Sequence, residues 1–394
     1  MPSQNVIPSQ IDADERGRTW AEVDLAAIKH NARVIQKLSG SAHVMAVVKA
    51  NAYGHGDVRV AEALADAGVS RFAVATIPEA RRLREGGVEA PIVVLGAPVP
   101  GRIDMYETFD AGIVVSSADV AEALANRPSK GGVLRAHIKV DTGMGRLGIR
   151  PDELERVLSR LERISSLRVE SIWTHFATAD DPNSEGVTEQ LERFDEAVHP
   201  FRDDVAWTHV ANSGALLNHR DKLTLDEQSL VRPGIALYGL SPSQEEDQAA
   251  ANDLIPAMRF RSTIMHVKDV EPGTPISYGR RWQAEGRRRI ATVAAGYADG
   301  VPRALTNIGR VRIGNAARPI AGTVCMDMLM VDVGEVDSAP DLTPGDVAEL
   351  FGRDEPSCFD VARAVGTIPY EIVCRISERV RRFYYDSEAD SGTG

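Results

Sequence analysis

A lysine placed directly behind a run of buried aliphatic residues is costly unless its amine is used or paired. The sequence makes this placement twice. Ala46-Val47-Val48-Lys49 runs on into Ala50-Asn51-Ala52-Tyr53-Gly54-His55-Gly56, and His137-Ile138-Lys139-Val140 runs on into Asp141-Thr142-Gly143-Met144-Gly145-Arg146. Taken singly, either lysine reads as well as a salt-bridged strand end. Lys49 with Tyr53 and the glycines after it also suits a Schiff-base lysine holding pyridoxal phosphate. Arg146, on its glycine-rich turn, reads as an exposed loop charge or as a carboxylate binder, because a guanidinium matches a carboxylate bidentately. His175 closes Trp173-Thr174-His175; a lone histidine is more often a satisfied structural residue than a catalytic one. Ala211-Asn212-Ser213-Gly214 can open a helix whose N–H groups bind an anion. Arg232-Pro233-Gly234-Ile235 again ends an apolar run in a charge. Each signal is weak alone. Together, five of eight strand ends carry a polar residue able to serve one anionic cofactor and one amino acid.

The elements that must position these residues follow from the apolar runs. Strands are expected at 44–49, 71–76, 92–97, 112–116, 134–140, 167–175, 207–211 and 231–237. Runs such as Val44-Met45-Ala46-Val47-Val48 are continuous rather than alternating, as in a parallel sheet buried on both faces. Helical patterns separate them. Leu154, Val157, Leu158 and Leu161 share one face behind Pro151-Asp152, and Leu191, Phe194 and Val198 share another at about 187–201. Asp24 caps a first helix with Leu25, Ile28, Ala32, Ile35 and Leu38 on its apolar face. Eight strands alternating with helices predict an α/β fold, an N-terminal (β/α)8 barrel, with an open doubly wound sheet as the alternative. Residues 241–254 are polar and acidic and read as a linker. Beyond them, short segments split by Pro and Gly predict a C-terminal, mainly β domain. The expected organisation is a loose tail at 1–15, the barrel and cofactor domain at 16–249, the β-rich domain at 250–385 and a second tail at 386–394. The first strand, about 17–23, is a candidate to pack with the C-terminal domain.

The 394 residues carry 45 Lys+Arg against 57 Asp+Glu, a net charge of −12, which argues against nucleic acid or an anionic membrane as the main partner. Arg287-Arg288-Arg289 is too short to change this and reads as a solvated turn. The three cysteines, Cys325, Cys358 and Cys374, form no C-x-x-C pair, so no disulfide framework and no metal site is expected. The polar start reads as lacking a secretory leader, and no apolar stretch approaches the roughly 20 residues of a membrane span. A cytoplasmic location is expected.

In the second domain Ser277-Tyr278-Gly279-Arg280, Gly296-Tyr297-Ala298-Asp299-Gly300 and Cys325-Met326-Asp327-Met328 stand out, although tyrosines beside glycines also suit ordinary turns. With AVVKANAYGHG, HIKVDTGMGRLG, THFATAD, ANSGA, RPGIALYG, ISYGR, GYADG, CMDM and TIPYE in this order, the chain resembles the alanine racemase family from Trp20 to about Tyr385. The resemblance implies a barrel followed by a β-rich domain, a head-to-tail homodimer with shared active sites, and pyridoxal 5′-phosphate as cofactor. It implies interconversion of L- and D-alanine, with D-alanine supplied for peptidoglycan. Lys49 would carry the cofactor as a Schiff base. Tyr53, Asn212, Ser213, the backbone at Gly234 and Ile235, and Tyr370 would hold it. Arg232 would hydrogen-bond the pyridine nitrogen, with His175 linking Arg232 to Tyr278. Lys49 and the partner's Tyr278 would be the two bases, one per face of Cα. Arg146 and the backbone of Met326 would bind the substrate carboxylate. Lys139 matches a position carbamylated in many members. Tyr297, Asp327, Arg303 and Asp180 match the entry corridor. Thr323 departs from the family pattern, where many members carry arginine, so the charge and gating of the corridor are expected to differ.

Three other readings compete. A broad-specificity racemase of the same fold tends to be exported. A non-catalytic pyridoxal-phosphate carrier lacks the β domain and its tyrosine. A barrel decarboxylase uses a cysteine at the partner's edge, whereas Cys325 stands in a racemase-type CMDM context.

Overall fold

The computed structural model describes residues 17–127, 132–242 and 253–387. The remaining parts of the expected tails, and most of the expected linker at 241–254, lie outside the described residues. The chain forms two compact units. Among the described residues, one comprises those within 28–52 and 57–254 and the other those within 1–27, 53–56 and 255–394.

The second unit opens the chain with β1 (Thr19–Asp24). The barrel unit follows with β2 (His43–Val47), β3 (Arg71–Val74), β4 (Ile92–Val94), β5 (Ala111–Val115), β6 (Leu134–Lys139), β7 (Leu167–Trp173), β8 (Trp207–His209) and β9 (Leu230–Val231). These eight strands are parallel, in the order β8-β7-β6-β5-β4-β3-β2-β9. β9 pairs back onto β2, His43 opposite Leu230, and single bridges Thr208–Ser229 and Asn212–Arg232 bring β8 to β9. The expected (β/α)8 barrel is the observed fold of this unit. Its strands are buried on both faces: Phe72, Ala73, Val74, Ile113, Val114, Val115 and Ile138 have no accessible surface. That burial is why they read as unbroken apolar runs.

Several strands stop earlier than expected. The last, expected at 231–237, covers two residues, because Pro233 has no N–H for a ladder and the chain turns into a short 3-10 segment at Ile235–Tyr238. The helix expected at about 187–201 is Gly186–Val198; it gives way to a 3-10 segment at His199, where Pro200 cannot continue α hydrogen bonding. Leu154–Leu161 buries the four leucine and valine positions of its stripe. Asp24 does cap the helix Leu25–Ser39, its Oδ1 accepting from Ala26 and Ala27 N–H at 3.0 and 3.3 Å.

The second unit is mainly β. Its strands after β1 are β10 (Met258–Val270), β11 (Pro275–Ile276), β12 (Trp282–Gln283), β13 (Arg288–Val293), β14 (Arg310–Ile313), β15 (Ala316–Pro319), β16 (Leu329–Glu335), β17 (Val347–Phe351) and β18 (Arg381–Tyr385). The long β10 organises them. It pairs antiparallel with β1, β17 and β13, and β18 joins the far side of β1 in parallel. Arg287-Arg288-Arg289 is not a free turn. Arg288 and Arg289 lie on β13 and meet acids on neighbouring strands, Asp332 at 2.6 Å and Asp269 at 2.9 Å, which neutralises a run that looked solvated. Among the described residues no helix is long and apolar enough to cross a membrane.

Candidate active site

The barrel places the chain's reactive side chains at the C-terminal ends of its strands, the usual site for chemistry in this architecture. Lys49 follows β2 by two residues and begins an unusual turn. Ala50, Asn51, Ala52 and Tyr53 all have φ between 51° and 55°, one turn of left-handed helix. Each such L residue costs roughly 1–2 kcal/mol, so the neighbourhood has to over-determine the shape. It does so with Glu79, whose Oε1 accepts from Ala50 N–H at 2.7 Å, and Asn51, whose Oδ1 accepts from Asp57 N–H at 3.1 Å. At the end of the turn Gly54 sits so close to Val373 that a Cβ would lie 2.2 Å from its carbonyl oxygen.

Lys139 closes β6 and points into the barrel rather than outward. It is 2% exposed; its Nζ donates to Leu147 O at 2.5 Å and stands 5.3 Å from the centre of the Trp173 ring. Asp141, the acid an outward-turned lysine could have met, instead accepts from Gly143 and Gly145 N–H. Burial first, then Arg232 and Arg146, lower the Lys139 amine to about 8 against the opposing pull of Asp141. Arg146 is exposed on its turn, with no hydrogen bond or ion pair from its guanidinium among the described residues.

Arg232 follows β9 and is 3% exposed. Its Nη1 donates to His209 Nδ1 at 2.8 Å. Its Nη2 donates to Thr174 O at 2.7 Å and Val210 O at 3.2 Å, and lies 3.4 Å from His175 Nδ1. The guanidinium lies 4.7 Å over the Trp173 ring. Burial pulls its pKa to about 9, which leaves it a cation at neutral pH. Among the described residues its Nε–H has no acceptor and is available to a ligand.

Behind Arg232 runs a chain of buried polar groups. His209 Nε2 lies 2.8 Å from Ser171 Oγ, which lies 2.7 Å from His137 Nδ1. All three are at most 1% exposed. Arginine can only donate, so His209 Nδ1 must accept and its Nε2 carries the proton. Ser171 therefore accepts from His209 and donates to His137 Nδ1. Burial and the nearby arginines hold His209 well below its ordinary pKa and bring His137 to about 3, so both rings are neutral.

His175 is neutral too. Burial and then the charges of Arg232, Arg146, Lys139 and Lys49 bring it to about 3. With Nδ1 facing Arg232, its proton belongs on Nε2. Four cations thus gather around one uncharged imidazole, an arrangement that calls for anions.

Ser213 opens the helix Ser213–Asn218, with Asn212 as N-cap, its side chain accepting from Ala215 N–H at 2.9 Å. Ser213 Oγ accepts from Gly234 N–H at 2.8 Å, and Ile235 heads the 3-10 segment, so its N–H has no partner within that segment. Asp180 is exposed, its carbonyl receiving Asn218 Nδ2 at 3.1 Å.

The second unit carries the other expected residues. The rings of Tyr53 and Tyr370 are 6.0 Å apart at 51°. Burial, then Tyr370 and Cys374, push the Tyr53 hydroxyl up, so it stays a donor. Tyr278 is 75% exposed on a 3-10 turn. Tyr297 and Met326 sit on neighbouring turns, joined by Tyr297 N–H to Cys325 O and Ala298 N–H to Met326 O, both 3.0 Å. Arg303 is exposed on the turn Arg303–Leu305. Asp327 Oδ1 accepts from Arg379 Nη2 at 2.9 Å and Arg18 Nη2 at 3.1 Å, which holds its carboxyl below the usual range. Arg379 also donates from Nε to the buried Asp299 at 2.8 Å and so pins the 296–300 and 325–328 turns together. The sequence reading gave no role to Arg379, Trp173 or the His209–Ser171–His137 chain. The signal of the chain was a polar side chain inside an otherwise apolar strand, which persists only when bonded; Arg379, in a turn before β18, carried no such signal.

The described residues thus give a two-domain protein, a parallel barrel with a cationic mouth followed by a mainly β domain bearing exposed tyrosines. Residues 23–242 match the model of the alanine racemase N-terminal domain, and residues 257–384 match that of the alanine racemase C-terminal domain. The chain belongs to the alanine racemase family. It is 40% identical to an alanine racemase of Halothermothrix orenii, covering 93% of this chain and 96% of the relative. Among solved structures it is similar to alanine racemase from Clostridium difficile 630, with TM-score 0.86 and 35% identity over 94% of this chain and 96% of that one. It is also similar to alanine racemase from Streptomyces coelicolor A3(2), with TM-score 0.84 and 37% identity over 95% and 99%.

Proposed function

We propose that the chain interconverts L- and D-alanine by a two-base mechanism, as a homodimer that uses pyridoxal 5′-phosphate. The observation that carries this is the set of four cations, Lys49, Lys139, Arg146 and Arg232, around the neutral His175. A phosphate-bearing cofactor and an amino-acid carboxylate are the anions such a mouth accommodates. The donor set fits the cofactor. The Ser213 hydroxyl, which the Gly234 N–H holds in place, the Ile235 N–H and the Tyr53 and Tyr370 hydroxyls are donors of the kind its phosphate would take. The Nε–H of Arg232 offers a donor for its ring nitrogen, and Lys49 offers the amine that would attach it.

When bound, pyridoxal 5′-phosphate supplies an electron-withdrawing ring that acidifies the Cα–H of the amino acid it carries. The residues of this chain do the rest. Lys49 takes or returns the Cα proton on one face; the hydroxyl of Tyr278, from a second copy, does so on the other. His175, protonated on Nε2, is a donor suited to stabilising the Tyr278 phenolate without adding a charge. Arg232 stays protonated and only donates, so it leaves a ring nitrogen unprotonated. That weakens electron withdrawal and disfavours side reactions such as transamination. Arg146 and the Met326 N–H orient the carboxylate. Lys139, with its pKa lowered to about 8, has a substantial neutral fraction near pH 7.5 and suits carbamylation by carbon dioxide. The carbamate would then turn the repulsion of Arg146 into a charge-assisted hydrogen bond. Tyr297, Asp327, Arg303 and Asp180 line the approach. The domain division at about 250, a cytoplasmic location and a supply of D-alanine to peptidoglycan belong to the same reading.

The test is a chiral assay of the purified, cofactor-loaded protein on L-alanine, with serine and lysine as controls. Alanine is expected to racemise fastest, and Lys49→Ala to lose at least ~10⁴-fold in rate. Borohydride should fix the cofactor on the peptide containing Lys49. No racemisation of alanine by the parent, or fixation on another peptide, overturns the assignment.

A further inference from the structure

Tyr278 shows its ring to solvent, yet its backbone is tightly held. Ser277 before it has φ 66° and ψ −178°, and Gly279 and Arg280 after it have φ 74° and 52°. Ser277 and Arg280 are thus L residues in a region such residues rarely occupy. What fixes them is the segment 322–324. Ser277 Oγ donates to Thr323 O at 2.7 Å, and Thr323 Oγ1 donates back to Tyr278 O at 2.8 Å. Asn307 ties the far side, donating from Nδ2 to Arg281 O at 3.0 Å and accepting Gly322 N–H at 2.7 Å. Gly322 permits the approach: a Cβ there would lie 2.7 Å from Ile276 O and 2.8 Å from Ser277 Cβ. Thr323 is 4% exposed, so its hydroxyl has little access to water as an alternative partner.

We infer that Thr323 is a positioning residue for Tyr278, fixing through the Tyr278 carbonyl the place from which the phenol meets one face of Cα. The inference rests on the two-base reading. It assigns Thr323 a task its place in the corridor did not suggest. The side-chain hydroxyl holds the backbone of the base and touches no substrate. Proton transfer depends steeply on donor–acceptor geometry, and a misplacement of about 1 Å can cost ~10²-fold. Only a short side chain with a donor at Cβ can bond the carbonyl at this distance, so Thr323→Ser preserves the bond and Thr323→Val removes it at nearly constant volume.

The experiment compares parent, Thr323→Val and Thr323→Ser as cofactor-loaded enzymes. Thr323→Val should lose roughly 10- to 100-fold in kcat/KM in both directions, because the equilibrium constant between enantiomers is one. The isotope effects should split. For the enantiomer whose Cα proton goes to Tyr278, the α-deuterium effect should rise. For its mirror image, the α-deuterium effect should fall towards one while the solvent-deuterium effect rises. Thr323→Ser should behave as the parent. In the cofactor-free protein, amide hydrogen exchange over 279–281 should quicken in Thr323→Val and not in Thr323→Ser. Parent-like rates in Thr323→Val, a loss that leaves both isotope effects unchanged, or unaltered amide exchange overturns the inference while leaving the racemase reading intact. A parent that does not racemise alanine removes both together.

Discussion

The barrel unit and the β unit hold their site residues in opposite ways. In the barrel, Arg232, Lys139, His209, Ser171 and His137 are at most 3% exposed, and their own side chains make the bonds that hold them, to one another and to the carbonyls of Leu147, Thr174 and Val210. In the β unit, Tyr278, Tyr297 and Met326 are 75%, 41% and 52% exposed, and the bonds that fix them run to backbone. A buried cation keeps its orientation only if its donors are satisfied by fixed partners. A group that has to be presented needs a rigid backbone and a free side chain. The two modes suit different tasks, setting an electrostatic environment and presenting a reactive group.

The most severe test of that division mixes lesions from the two regions. Lys49→Ala and Tyr278→Phe should each be inactive. If the presented tyrosine serves a second copy, a hybrid dimer has one site with both lesions and one with neither. Equal mixing with subunit exchange should then restore up to about a quarter of the parent's sites. Exchange verified by mass with no activity regained would break the comparison, because each copy would then be using its own tyrosine.

A smaller effect sharpens the barrel side. Lys139→Ala is expected to lower racemisation about 10- to 100-fold, with partial rescue by acetate or chloride through Arg146. The same rescue should be absent in Arg146→Ala. The amine must be neutral to take up carbon dioxide, and its folded pKa of about 8 lies below its ordinary value. Uptake should therefore rise as pH is raised through about 8, seen as an added mass of one carbon dioxide on the peptide containing Lys139. Full activity of Lys139→Ala without added anion contradicts the proposal.

Much of the barrel was legible because parallel strands buried on both faces leave unbroken apolar runs, and because strand ends are where a lysine or arginine is conspicuous. Lys49, Arg146, His175, Ser213 and Arg232 stood out in that way. Pro233 cut short a strand that looked seven residues long, a backbone constraint that hydrophobic pattern does not register. The left-handed turn at Ala50–Tyr53 was invisible, since nothing in Ala-Asn-Ala-Tyr demands positive φ; Glu79, far along the chain, contributes to it. The clasp on Tyr278 was equally hidden, because Thr323 and Asn307 are ordinary loop residues until the fold brings them to its carbonyl and to that of Arg281.

The subtlest expectation concerns Ser171, which touches neither lysine. Its hydroxyl accepts from His209 and donates to His137, so Ser171→Ala strands one donor and one acceptor in the barrel. Unpaired buried groups cost about 1–3 kcal/mol each, and the melting temperature should fall by several degrees. Thr323→Val, which leaves only the Tyr278 carbonyl without its donor, should fall less. The parent already carries a related signature. The three neutral histidines, His137, His175 and His209, are harder to protonate folded than unfolded. The unfolded chain therefore binds more protons below pH ~6.5. Stability is thus present above about 6.5 and is lost as pH falls towards about 3, where His137 and His175 finally protonate. Nitrogen NMR of His209 decides the underlying logic. Arg232 cannot accept a hydrogen bond, so Nδ1 of His209 must be bare and Nε2 protonated in the parent, and Ser171→Ala should loosen that preference because Nε2–H loses its acceptor. A proton found on His209 Nδ1 in the parent would mean that the chain does not run from Arg232 inward, and that the guanidinium is oriented by the Thr174 and Val210 carbonyls alone.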